Sequence, residues 1–151
     1  MAVHSNSTLS LSIGSDHAGF PLKDHLAKWL HEKGYQVEDV GCHNLDSVNY
    51  PDYGKKVASQ VASKVVDRGI LVCGSGIGMS ITANRFEGVR ATLCHSVETS
   101  RLSREHNDSN LLVLGARIVS EELAVEMLIT WLETEFEGGR HQTRLDMIES
   151  K

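Results

Sequence analysis

The chain has 151 residues and a mass of 16.6 kDa, the length of one domain. Its 40% apolar and 23% charged residues, with two prolines, describe a globular fold rather than a disordered chain. A net charge of −5 argues against a nucleic-acid partner, the apolar runs are too short to cross a membrane, and three cysteines make no disulfide framework.

Residues 1–8 hold neither Lys nor Arg and no apolar stretch. They are read as an N-terminal extension that is neither a secretory signal nor a transit peptide, ahead of a domain spanning 9–151. A reducing, cytoplasmic setting is expected from the cysteine count. Residues 9–13 alternate apolar and polar and predict a first strand. Leu22, Leu26, Trp29 and Leu30 share one helical face, closed by Gly34. A second strand is expected over 35–40, then a polar loop over 41–50, then a helix opened by Pro51 with Val57, Val61 and Val65 on one stripe. A buried strand over 70–73 runs into Gly74-Ser75-Gly76-Ile77-Gly78 and a helix over about 79–86. Further strands are predicted over 89–94 and 111–114, and helices over 98–105 and 121–136. Gly138-Gly139 then breaks the chain before a short basic helix.

Five strands alternating with helices imply an α/β fold with a mostly parallel sheet covered on both faces. In such a sheet ligands sit outside the carboxyl ends of the strands. That rule singles out four segments: 15–19, 73–78, 94–96 and 115–117.

The segment after the third strand carries the sharpest signal. Alternating glycines let backbone N–H groups converge on an anion, and a helix start adds positive potential. Cys73 lies beside those donors, which favour its thiolate form; as a plain core residue it would need none of them. The segment is not a dinucleotide fingerprint, because Met79 stands where the third glycine belongs. The first turn is not a P-loop, because Phe20 and Pro21 follow Gly19. Asp16 and His17 fall on the same sheet edge. His106 is a candidate proton donor near neutral pH, with Asn107 beside it, although the pair also reads as a helix C-cap. Arg117, Arg140 and Arg144 suit phosphate oxygens, the last two sharing a helical face, although a solvated basic face would look the same. No Cys-x-x-Cys or His-Glu-x-x-His occurs, so no metal or organic cofactor is expected.

Several segments together resemble the type B ribose-5-phosphate isomerase family, from residue 9 to about 148. They are Ser15-Asp16-His17-Ala18-Gly19-Phe20, Tyr50-Pro51-Asp52-Tyr53, Cys73-Gly74-Ser75-Gly76-Ile77-Gly78, Ala83-Asn84-Arg85, Ser103-Arg104-Glu105-His106-Asn107-Asp108, Gly115-Ala116-Arg117 and Glu137-Gly138-Gly139-Arg140-His141-Gln142. The resemblance implies a three-layer α/β/α sandwich, Rossmann-like, around a five-stranded parallel sheet. It implies aldose–ketose isomerisation of a sugar phosphate without a cofactor. Cys73 would be the base and His106 would open the sugar ring. Gly74, Ser75, Gly76, Ile77 and Gly78 would hold an enediolate. Asp16 and Asn107 would bind hydroxyls, and His17, Arg117, Arg140 and Arg144 the phosphate, with His141 adjacent. The substrate would be ribose 5-phosphate or, as the alternative, allose 6-phosphate or another hexose 6-phosphate. The partner would be a second copy, in a homodimer or homotetramer with sites shared across the interface. A non-catalytic sugar-phosphate binder is the contrasting expectation, in which Cys73 is inert.

Overall fold

A computed structural model describes residues 9–150; the expected extension over 1–8 lies outside the described residues. The chain alternates β1 (Ser10–Ser15), α1 (Phe20–Glu32), β2 (Gln36–Gly41), α2 (Tyr50–Ala62), β3 (Arg68–Cys73), α3 (Ile77–Ala83), β4 (Ala91–Leu93), α4 (Val97–Asn107), β5 (Leu111–Gly115), α5 (Glu121–Glu133) and α6 (Arg140–Glu149). The strands form one sheet in the order β2-β1-β3-β5-β4, and every neighbouring pair is parallel. This is the expected three-layer α/β/α architecture.

The layering follows from side-chain alternation along the strands. Ile70 and Val72 of β3 point to one face, where Leu26, Leu30, Met127, Leu128 and Trp131 of α1 and α5 cover them. Leu71 and Cys73 point to the other, against Val57, Ala58, Met79 and Ala83 of α2 and α3. Each buried Leu or Val contributes about 1.5–3 kcal/mol. The doubly covered β1-β3-β5 centre is therefore a stiff base for whatever sits at its strand ends.

Several boundaries differ from expectation. Helix α3 starts at Ile77, two residues early, because Gly76 takes the left-handed conformation at φ +82 and turns the chain directly into the helix. Helix α5 stops at Glu133 rather than 136, where Thr134 becomes extended. The left-handed residue after α4 is Asp108 at φ +45, not Asn107, which closes the helix itself. Among the described residues, no helix is long and apolar enough to cross a membrane.

The strand order reverses direction between β1 and β3. From β1 the chain moves outward to β2, then crosses back to β3 on the other side. A crevice therefore opens between the carboxyl ends of β1 and β3, at Ser15 and Cys73.

Candidate active site

The crevice is a cleft of about 590 Å³ lined by Asp16, His17, Cys73, Gly74, Ser75, Ile77, Gly78 and Arg117, together with Ala18, Tyr50, Ile81 and Ile118. Three of the four strand-end segments singled out in the sequence meet there. The fourth, 94–96, does not line it; Ser96 instead caps α4 by accepting from the Thr99 N–H at 3.1 Å.

Cys73 ends β3 with only 5% of its surface exposed. The Gly76 N–H donates to its Sγ at 3.2 Å. That contact fixes the sulfur at the end of β3, against the glycine loop. Ser75 Oγ accepts from the Ile77 N–H at 3.2 Å, which fixes the hydroxyl and leaves its own proton to donate. The loop is held from beneath by β5 and its following turn: Ala116 N–H donates to the Cys73 carbonyl and Arg117 N–H to the Gly74 carbonyl, both at 2.9 Å.

Close packing explains two of the glycines. A Cβ on Gly76 would stand 2.5 Å from Leu93 Cδ1. A Cβ on Gly78 would stand 2.5 Å from the Tyr50 ring. Arg117 lies over Gly74, where an added Cβ would meet its Nη1 at 2.9 Å, so a cation is held against the loop.

On the β1 side, the buried Asp16 accepts from the Gly19 N–H at 2.9 Å through Oδ1, leaving Oδ2. His17 Nδ1 accepts from the Val48 N–H at 3.1 Å. The neutral ring then carries its proton on Nε2, which becomes its available donor. One cleft thus combines a thiol, backbone N–H groups, a carboxylate, an imidazole and a guanidinium. Such a set can take a proton from carbon and stabilise the oxyanion that forms.

The remaining candidates lie elsewhere. Helix α4 runs back from the carboxyl edge of the sheet, so His106 and Asn107 stand at the opposite edge. Arg90, just before β4, donates Nε to the carbonyls of Asn107 at 3.2 Å and Asp108 at 3.0 Å. Strands of five to six residues span about 17–20 Å, so His106 and Cys73 of one chain are separated by roughly that length. Helix α6 packs on α4 and brings Arg140 and Arg144 to the same region. A cleft of about 730 Å³ at this edge includes Asn107 but is lined by no thiol or imidazole. Within one chain, then, the predicted residues form two groups.

Tyr50, Ile81 and Ile118 are wall residues that the sequence reading did not place in the site. Tyr50 belonged to a quoted motif, but nothing in the pattern showed its ring lying on Gly78. Glu137 was not assigned a role and His141 was placed only beside the phosphate residues, yet both meet His106 at the junction of α4 with the segment leading into α6.

Residues 11–148 match the family model described as Ribose/Galactose Isomerase. The chain is 45% identical over 138 residues to ribose-5-phosphate isomerase B of Escherichia coli, covering 91% of this chain and 93% of that one. It is 38% identical over 141 residues to a D-erythrulose-4-phosphate isomerase of Pectobacterium atrosepticum, covering 93% of each. The structure of Clostridium thermocellum ribose-5-phosphate isomerase B superposes with a TM-score of 0.92 at 50% identity, over 93% of this chain and 95% of that chain.

Proposed function

This chain belongs to the ribose/galactose isomerase family, and from that premise we propose that it interconverts ribose 5-phosphate and ribulose 5-phosphate through an enediolate. The observation that carries the reading is the Cys73 sulfur, held by the Gly76 N–H in a cleft it shares with Asp16, His17 and Arg117. The Cys73 thiolate removes the C2 proton of the open-chain aldose. Electrons from that C–H bond form the C1–C2 double bond, and the C1 carbonyl becomes an enediolate oxygen. The backbone N–H groups of 74–78 that are not already given to Cys73 Sγ and Ser75 Oγ, with the Ser75 hydroxyl, face that charge; a donor of this kind is worth about 3–4 kcal/mol in other enzymes. The O2 proton then passes to O1, C2–O2 becomes the ketone, and Cys73 returns its proton to C1 to give the ketose. Asp16 orients hydroxyls, and His17 and Arg117 hold the phosphate.

The other half of the machinery comes from a second copy. His106 opens the furanose, Asn107 binds substrate, and Arg140 and Arg144 add cations for the phosphate. The separation of the two groups supports this arrangement: a single chain cannot bring His106 to its own Cys73. In an isologous dimer each chain gives its carboxyl-edge residues to one site and its opposite-edge residues to the other. A cytoplasmic location fits the three free cysteines, all buried.

The test is turnover by wild type and Cys73→Ala on ribose 5-phosphate and on allose 6-phosphate. The wild type is expected to show the higher kcat/KM on the pentose, and Cys73→Ala to lose about 10²–10⁴-fold in kcat. A hexose preference would reassign the substrate. Full activity in Cys73→Ala would remove the proposed base.

A further inference from the structure

The connection between α5 and α6, residues 134–139, is tied to the end of α4. Arg104 Nε donates to the Thr134 carbonyl at 3.1 Å, and the Glu137 N–H to the Glu105 carbonyl at 3.0 Å. Gly138 and Gly139 take φ values of +70 and +57, which lets the chain double back so that α6 begins over the last turn of α4. The result is a stack: the His106 and His141 rings lie 4.3 Å apart, 14° from parallel.

Glu137 faces both rings. Its Oε1 is 3.4 Å from His141 Nε2 and 3.9 Å from His106 Nε2. The His141 side chain is 10% exposed, whereas that of His106 is 41% exposed. One ring is therefore a buried backing and the other presents itself outward. The neighbouring Glu105 is engaged by Arg101, whose hydrogen bond holds the Glu105 carboxyl below its ordinary value, with a contact to Glu137 and the charge of His106 acting in the same direction. The three ligand atoms lie within 4.8 Å of one another, but near-parallel rings send their lone pairs side by side rather than to one point. That is poor geometry for a tetrahedral metal; instead one carboxylate sits beside two imidazoles, 3.4 Å from the buried one and 3.9 Å from the outward one.

We infer that Glu137 is a positioning residue for His106: it accepts from His106 Nε2–H and fixes the tautomer whose Nδ1 acts as base in ring opening. The inference rests on the proposal that His106 opens the sugar ring. In that step Nδ1 takes the proton from the anomeric hydroxyl. The O1 electrons form the C1 carbonyl as the bond from C1 to the ring oxygen breaks. The imidazolium then returns its proton to that oxygen, so no proton or electron is left over. The role requires the 3.9 Å separation to close to a hydrogen bond once the ring has taken the substrate's proton.

This role separates ring opening from isomerisation, and substrates can be chosen to require one without the other. A tetrose 4-phosphate cannot close a furanose, because the hydroxyl that would close it carries the phosphate. Glu137→Gln is expected to lower kcat on ribose 5-phosphate by about 10- to 100-fold, with KM changed by less than about twofold. Turnover of erythrose 4-phosphate and erythrulose 4-phosphate should stay within about threefold of wild type. The ¹⁵N spectrum of the His106 imidazole should report the Nε2–H tautomer in wild type and a tautomer mixture in Glu137→Gln. It decides the matter should the wild type not accept the tetrose. An unchanged kcat on ribose 5-phosphate, an equal fall on both substrates, or an unchanged His106 tautomer would overturn the inference. Wild-type inactivity on ribose 5-phosphate would instead overturn the isomerase reading.

Discussion

Cys73 and Gly76 are three residues apart in the chain and act as one unit, since the glycine N–H is the donor that reaches the sulfur. A left-handed backbone at φ +82 aims that N–H, and a side chain there would strike Leu93. Gly76→Ala should therefore lose about 2–4 kcal/mol of stability from strain and overpacking together. Denaturant unfolding measures it, and an unchanged midpoint would contradict the account of that glycine. Much of this residue-scale detail was legible, because glycine spacing after a buried strand has few other uses. The Tyr50 ring on Gly78 was not, since a contact between α2 and α3 leaves no mark on the local pattern of either. The same holds for the hydrogen bond from Val48 to His17, which depends on where a long polar loop comes to rest.

At the scale of elements, the frame around the cleft depends on a buried ion pair. Lys23 of α1 is fully buried, and its Nζ donates to Asp39 Oδ2 of β2 at 2.8 Å. Asp39 also accepts from the Gly41 N–H at 2.9 Å through Oδ1, at the turn out of β2. Removing the carboxylate would leave a buried ammonium without its counter-charge, with the Phe20 ring 5.0 Å from Nζ as its remaining contact. Asp39→Ala should destabilise the fold by about 3 kcal/mol, seen as a lowered denaturant midpoint; stability within about 0.5 kcal/mol of wild type would refute this. Amphipathic spacing revealed α1, α2 and α5, because their apolar stripes are long. It failed at element ends, where one backbone angle decides. The helix expected to reach Phe136 ends at Glu133, because Thr134 has already turned extended. Lys23 sat among apolar positions with no sign that it was buried, because its partner lies on the next strand.

Over the whole molecule, parallel topology does the dividing. Each strand delivers its residues to the carboxyl edge, and each helix returns to the other. Cys73 follows a strand and His106 ends a helix, so the two must lie at opposite edges of the sheet. The alternation of strands and helices already implied that separation. The meeting of Glu137, His141 and His106 was not implied, because it depends on how residues 134–139 fold back over α4. The central claim is that two copies complete each site. It is tested most directly by mixing two variants, Cys73→Ala and His106→Asn, each expected to be inactive alone on ribose 5-phosphate. After dissociation and reassociation, half of the dimers pair one chain of each kind, and each such dimer carries one intact site. Activity should recover to about one quarter of wild type. If each chain built its own site, the mixture would stay as inactive as its components, and that result would contradict the account.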